Sequence, residues 1–268
     1  MRNAIPALGL GTYRLTGKQA VDSVTAALEI GYRHIDTAQL YDNEADVGQA
    51  IAQSGVPRDQ VFVTTKIWFD QLSRDRLIPS LEASLERLKM DQVDLALVHW
   101  PSPNDEVPMQ EYMEGMLEAQ RQGLTRLIGV SNFTTAQLKQ VDQIIGLPNI
   151  ATNQVEIQPF LQNKKLAAFA RKASVHLTAY MPLACGKVAH EPDIQQIAQK
   201  HGTTPAQVTI AWLLQQGFAV IPSSTKRDHL ESNWAAQSLK LDDSDLTVMN
   251  GLDRGERIAN PDFAPVWD

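Results

Sequence analysis

Two apolar textures take turns along the 268 residues, and that alternation limits the fold more tightly than any other feature of the chain. One is short and β-branched, as in Val61-Phe62-Val63, Leu127-Ile128-Gly129-Val130 and Ala219-Val220-Ile221. The other spaces apolar residues three and four apart, which gives a helix one buried face. Leu77, Ile78, Leu81, Leu85 and Leu88 make one such stripe; Leu138, Val141 and Ile145 make a second, and Val21, Val24 and Leu28 a third. Eight strand-like runs can be counted, at 8–11, 34–36, 61–65, 93–99, 127–131, 152–156, 176–180 and 219–223, with helices between them. Two helices, 191–201 and 204–216, precede the last run. This order predicts an α/β chain folded as a single (β/α)8 TIM barrel over residues 1–268, with an additional C-terminal helix and a short tail. An open doubly wound sheet is the rival, and it usually has fewer strands.

The punctuation agrees with the periodicity. Thr204-Pro205-Ala206-Gln207 reads as a capping box with proline at the first helical position. Gly31, Gly123 and Gly217 each close a helical pattern just before a strand. Composition matters mainly for what it excludes. With 24 basic against 31 acidic side chains the net charge is −7, and no basic stripe offers a nucleic-acid surface. The single cysteine, Cys185, cannot form an internal disulfide, which fits a reducing compartment. Met1 to Gly11 lacks the pattern of a secretory leader, and no apolar run approaches the ~18 residues of a membrane span. A soluble cytoplasmic protein is therefore expected. No His-x-x-x-His or Cys–His spacing suggests a metal site.

In such barrels the reacting groups gather where strands end and βα loops begin. Asp36, then Tyr41, follow the second strand; Lys66 follows the third and His99 the fourth. Ser131 and Asn132 follow the fifth, Gln154 lies in the sixth, Tyr180 ends the seventh, and Ser223 and Ser224 end the eighth. The first four residues form a chemically coherent set. A phenol is a feeble acid in water, and a neighbouring ammonium favours its anion. A carboxylate beside the ammonium keeps it charged, and a histidine can hydrogen-bond the same substrate oxygen. The set suits protonation of a carbonyl oxygen while hydride reaches its carbon. Each residue has a plainer reading: Asp36 as a cap, Lys66 as a solvated charge, His99 as a core histidine, Tyr41 as a packed loop residue. Four complementary groups at three consecutive strand ends favour an active site. Tyr13, Trp68 and Trp100 follow the first, third and fourth strands and are read as walls of the substrate mouth; Trp267 is a further candidate from the tail, with packing on the barrel top its stronger reading. Gly9-Leu10-Gly11-Thr12 lacks the third glycine and the acidic residue of a Rossmann fingerprint, so it is read as a strand end allowing close approach.

Several long motifs resemble those of the aldo-keto reductase family, in the family's order. They are Gly31-Tyr32-Arg33-His34-Ile35-Asp36-Thr37-Ala38 followed by Tyr41, Asn43, Glu44 and Gly48; Thr64-Thr65-Lys66; Leu97-Val98-His99-Trp100-Pro101; Gly129-Val130-Ser131-Asn132-Phe133; and Asn153-Gln154-Val155-Glu156. The resemblance runs from about residue 8 to about residue 252. It implies a monomeric carbonyl reductase in which Tyr41 donates the proton, Lys66 lowers its pKa, Asp36 partners Lys66 and His99 orients the carbonyl. It further implies a nicotinamide stacked on Tyr180 and held by Ser131, Asn132 and Gln154. Gly11, Thr12, Asp36, Met181, Leu183, Ile221, Ser223, Ser224, Thr225, Lys226, Arg227, His229 and Asn233 would complete the cofactor site.

The stretch from Ile221 to Asn233 departs from the family's adenosine-phosphate loop. Ser223 stands for a usual lysine, His229 for an arginine and Ser232 for a glutamate, while Lys226 and Arg227 supply two other cations before a helix. NADPH is expected, with NADH a weaker alternative. The resemblance implies small polar carbonyls as substrates, such as 2,5-diketo-D-gluconate and methylglyoxal-type dicarbonyls, contacting Tyr13, Tyr41, Trp68, His99 and Trp100. The tail beyond Leu252 is short for the family, which implies an open pocket. Two other readings compete: a barrel aldolase using Lys66 as a Schiff-base nucleophile, and a cofactor-sensing regulatory barrel resembling the potassium-channel β-subunits.

Overall fold

The computed structural model describes residues 5–268. The first four residues of the run read for a leader lie outside the described residues. Eight parallel strands form one sheet in sequential order: β1 (Leu10–Gly11), β2 (His34–Asp36), β3 (Phe62–Ile67), β4 (Val93–Val98), β5 (Thr125–Ser131), β6 (Ile150–Glu156), β7 (Leu177–Tyr180) and β8 (Ala219–Val220). The edges of this sheet meet. Leu8 pairs in parallel with Val220, and Gly9 N–H donates to Val220 O at 2.9 Å. Val220 N–H donates to Ala7 O at 2.8 Å, and Gly11 N–H to Pro222 O at 3.0 Å.

Helices α1 (Gly17–Ile30), α2 (Glu44–Gln53), α3 (Leu77–Leu88), α4 (Met109–Arg121), α5 (Thr135–Ile144) and α6 (Lys164–Ala173) each join one strand to the next. Helices α7 (Pro192–Lys200) and α8 (Pro205–Gln215) lie between β7 and β8, and α9 (Arg227–Ala235) and α10 (Asp243–Gly251) follow β8. The helical stripes face the sheet: Leu77, Leu81, Leu85 and Leu88 are buried on α3, Leu138 and Val141 on α5. The Thr204 box forms with Gln207, as the sequence predicts. Gly31, Gly123 and Gly217 all have positive φ. Thr134 with Gln137, and Asp242 with Asp245, make two further capping boxes.

Strand ends differ from expectation in small ways. The last strand, expected at 219–223, ends at Val220, because Pro222 has no N–H to continue the ladder. The first, expected at 8–11, keeps a regular ladder only over Leu10–Gly11.

The two-residue period of the strands sorts polar from apolar. Leu95 and Leu97 of β4 point inward with Phe62 of β3, a small cluster distinct from the main core between sheet and helices. Inside the sheet His34 reaches Thr64 at 3.1 Å and Thr152 reaches Thr178 at 2.9 Å. Continuing the same parity toward the strand ends brings Asp36, Lys66, His99, Ser131 and Gln154 to one face. At the seam between first and last strands, a Cβ on Gly11 would lie 2.7 Å from the Ile221 carbonyl oxygen. Gly11→Ala should therefore lower unfolding free energy by about 1–3 kcal/mol. Gly251→Ala, with nothing within 4 Å of the new Cβ, should be neutral or slightly stabilising; denaturant melts of the two variants check this.

Candidate active site

Lys66, in β3, is 1% exposed, and so is Asp36, the last residue of β2. The Lys66 ammonium donates to Asp36 Oδ1, to Thr37 O at 3.0 Å and to the Tyr41 hydroxyl at 3.1 Å. An ammonium has three N–H donors, so all of them are engaged within the protein. The other oxygen of Asp36 accepts from Gln154 Nε2 at 2.7 Å, which ties β2 to β6 across the interior.

Tyr41 sits on a 3-10 turn, Gln39–Tyr41, that closes with Asp42 in the left-handed region. Asn43 fixes this loop: Nδ2 donates to Thr12 O at 2.8 Å and Leu15 O at 2.7 Å, and Oδ1 accepts from Thr37 Oγ1 at 2.6 Å. The His99 ring meets Tyr41 edge-on at 5.7 Å and Trp68 at 5.1 Å between centroids. His99 Nδ1 is buried without a hydrogen-bond partner among the described residues. The four titratable residues singled out from the sequence thus share one cluster.

Burial raises the Tyr41 phenol above the usual tyrosine range, and the neighbouring ammonium opposes that rise without cancelling it. Burial also works against charge on Lys66, but the Asp36 carboxylate and Tyr41 outweigh it and hold the amine above the usual lysine range. His99 is held well below 6.5, by burial first and by the Lys66 charge second. At neutral pH the cluster therefore holds an ammonium, a protonated phenol and a neutral imidazole.

The residues expected around a nicotinamide also converge. Tyr180 ends β7 with its hydroxyl donating to Asn132 Oδ1 at 2.7 Å. Asn132, at φ 64°, donates from Nδ2 to His99 O and to Ser131 Oγ, and Ser131 Oγ donates to Gln154 O at 2.8 Å. An aromatic face beside amide and hydroxyl groups fits a nicotinamide and its carboxamide. Thr12 is buried, its hydroxyl on Asp36 O at 2.9 Å. Met181 takes a left-handed conformation immediately after β7, with Leu183 two residues on. In the loop after β8, Ile221 is buried while Ser223, Thr225, Lys226, Arg227 and His229 are exposed. Ser224 Oγ accepts from the Lys226 N–H at 3.1 Å, and Asn233 is buried in α9. The two cations differ. Arg227 is bound to Glu29 of α1 at 2.6 Å and to Glu231 at 3.0 Å, whereas Lys226 makes no ion pair among the described residues.

The mouth is less open than a short tail suggests. Phe263 packs on Trp68, Phe69 and Trp100 at centroid distances of 5.8, 4.9 and 5.4 Å. Trp267, the further candidate from the tail, reaches Trp100 at 6.0 Å. Phe263 was missed; its four-residue spacing from Trp267 was the available signal. Tyr13 lies 5.1 Å from Tyr41. A groove of about 860 Å³ lies at the opposite end, around Arg33, Arg58 and Asp94, away from all of these groups. Among the described residues there is no cluster able to hold a metal and no helix long and apolar enough to cross a membrane.

A family model for the aldo/keto reductase family matches residues 7–254. The chain is 54% identical to the methylglyoxal reductase DkgB of Escherichia coli O157:H7, covering 99% of this chain and 100% of that one. It is 53% identical to the Yersinia pestis protein of the same name, over 99% and 100%. A crystal structure assigned as a 2,5-diketo-D-gluconic acid reductase B superposes with a TM-score of 0.95 at 41% identity, over 98% of this chain and 94% of that one. MGS-M4, an aldo-keto reductase from a Medee basin deep-sea metagenome library, gives 0.92 at 34% identity, over 98% and 96%.

Burial holds His34, His99 and His176 below their ordinary pKa. The unfolded chain therefore takes up protons first as pH falls below ~6.5, and the folded state loses stability there, by at most about 1.4 kcal/mol per histidine at one pH unit lower. Denaturant midpoints should be lower at pH 5.5 than at 7.5, and His99→Gln should shrink the difference.

Proposed function

Because the chain belongs to the aldo/keto reductase family, and is accordingly an oxidoreductase, we propose that it reduces small polar aldehydes and ketones with NADPH, using Tyr41 as proton donor. One observation carries the choice of donor: every N–H of Lys66 is already bonded, one of them to the Tyr41 oxygen. With that oxygen accepting from the ammonium, the phenol's own hydrogen points elsewhere and is available to a carbonyl oxygen. As the proton leaves, charge develops on the phenolate 3.1 Å from a buried cation, where the low dielectric strengthens their attraction. The full benefit of Lys66 thus arises as the proton is transferred, which is what catalysis requires.

His99 cannot compete as the acid, because burial keeps it neutral. Its Nδ1 is sealed without a partner. An unpaired buried acceptor is tolerated better than an unpaired donor, so the hydrogen sits on Nε2 and orients the carbonyl oxygen beside Tyr41. A bound nicotinamide supplies the hydride. Tyr180 would carry its ring, and Ser131, Asn132 and Gln154 its carboxamide. Gln154 is also bonded to Asp36, so it would couple cofactor placement to the proton-donating cluster. An aldolase using Lys66 needs a neutral amine, and the Asp36 carboxylate opposes that.

The aromatic mouth and the relatives' names support methylglyoxal-type dicarbonyls and 2,5-diketo-D-gluconate as substrates. For the 2′-phosphate, Lys226 is the better candidate, since Arg227 already faces two carboxylates.

Loss of NADPH absorbance with methylglyoxal tests the reading. Tyr41→Phe should lower kcat by at least about 10²-fold while NADPH still binds by fluorescence titration; turnover near wild type would contradict the assignment. Lys226→Ala should weaken NADPH binding by up to about fivefold, the limit for an exposed charge pair, and leave NADH binding unchanged. An equal loss for both cofactors would exclude Lys226 from 2′-phosphate recognition.

A further inference from the structure

We propose that Glu156 is a positioning residue that sets how tightly the site holds its carbonyl substrate, by fixing the aromatic tail over the mouth; this rests on the reductase reading above. Glu156 is the last residue of β6 and is 0% exposed, yet none of its hydrogen bonds among the described residues goes to the proton-donating cluster. Its carboxylate accepts from the tail's backbone instead. The Ile258 N–H approaches Oε1 at 3.0 Å and Oε2 at 3.1 Å, and the Ala259 N–H donates to Oε2 at 2.8 Å. Gln158 Nε2 approaches Oε1 at 3.3 Å and also donates to Glu256 O at 2.9 Å. A buried carboxylate is costly unless such donors meet it, so the tail's route past the end of β6 is fixed.

Beyond this anchor the tail makes no comparable backbone ladder among the described residues, and side chains carry it across the mouth. Arg257 stacks on the Trp267 ring at 3.7 Å and donates to Asn163 Oδ1 at 3.0 Å. Phe263 sits on Trp68 and Trp100, and Trp68 in turn meets the His99 ring edge-on. Asp268 accepts from the N–H and hydroxyl of Thr135, both at 2.9 Å, at the start of α5. Glu156 thus acts at a distance from the reacting atoms, through the placement of Phe263 and Trp267. The roof it holds is aromatic, which suits a small, flat carbonyl compound.

Replacing Glu156 by Gln keeps the volume but turns an amide donor toward donors. In Glu156→Gln the amides of Ile258 and Ala259 should exchange hydrogen faster, whatever the enzyme's activity. KM for methylglyoxal should rise about three- to tenfold, the equivalent of one lost aromatic contact. The kcat and the NADPH dissociation constant should stay within about twofold. Phe263→Ala, which leaves the barrel intact, should raise KM similarly, and the double variant should be no worse than the poorer single one. Unchanged KM, a fall in kcat at constant KM, or additive effects would overturn the proposal. If Glu156→Gln fails to fold, a wild-type KM in Phe263→Ala overturns it alone. Wild-type turnover measured alongside separates the two ideas: no NADPH-dependent reduction of methylglyoxal defeats the reductase reading, whereas turnover together with a normal KM in Glu156→Gln defeats only this one.

Discussion

A cation buried at 1% exposure organises the functional end of this protein. Taking an ammonium out of water is expensive, and only close acceptors make it tolerable. Lys66 has three: a carboxylate from β2, a main-chain oxygen just beyond β2, and a phenol from the following turn. Removing Asp36 would leave a buried charge unpaired, so Asp36 and Lys66 stand or fall together. The pair is not thereby a source of stability, because an apolar pair of similar volume can do as well. What it supplies is a fixed positive charge next to the phenol proposed as proton donor.

The barrel is what makes that arrangement attainable. Asp36 and Gln154 are 118 residues apart yet bonded, because inward-facing positions of nonadjacent strands meet across the interior. Alternation along each strand puts His34 and Thr64 below and Asp36 and Lys66 above, so one parity serves both the filling of the barrel and the lining of its mouth. At the seam, Gly11 allows the first strand to approach the Ile221 carbonyl, and closure brings the start of the loop after β8 onto the Gly11 N–H.

Much of this was legible in the sequence, because period and strand-end position are local properties. The alternation of textures gave the barrel order, and the strand-end rule brought Asp36, Tyr41, Lys66 and His99 together before any coordinates. Other features were not legible for physical reasons. The Thr37 carbonyl that completes the Lys66 set is main chain, and no side-chain pattern signals it. Arg227 looked like a free cation because its partner Glu29 lies on the distant helix α1. Glu156 read as part of a strand motif, and only the fold shows the tail N–H groups that it holds. The short tail suggested an open mouth, but Phe263 and Trp267 reach across it from a chain path fixed more than 100 residues away in sequence.

The account turns on whether Lys66 makes the Tyr41 phenolate easier to form. The difference in ultraviolet phenolate absorbance between the protein and its Tyr41→Phe variant, titrated with base, isolates that one ionisation. The same difference titration in a Lys66→Met background removes only the cation. The account predicts a higher apparent pKa for Tyr41 in that background than with Lys66 present. An identical or lower value would contradict it.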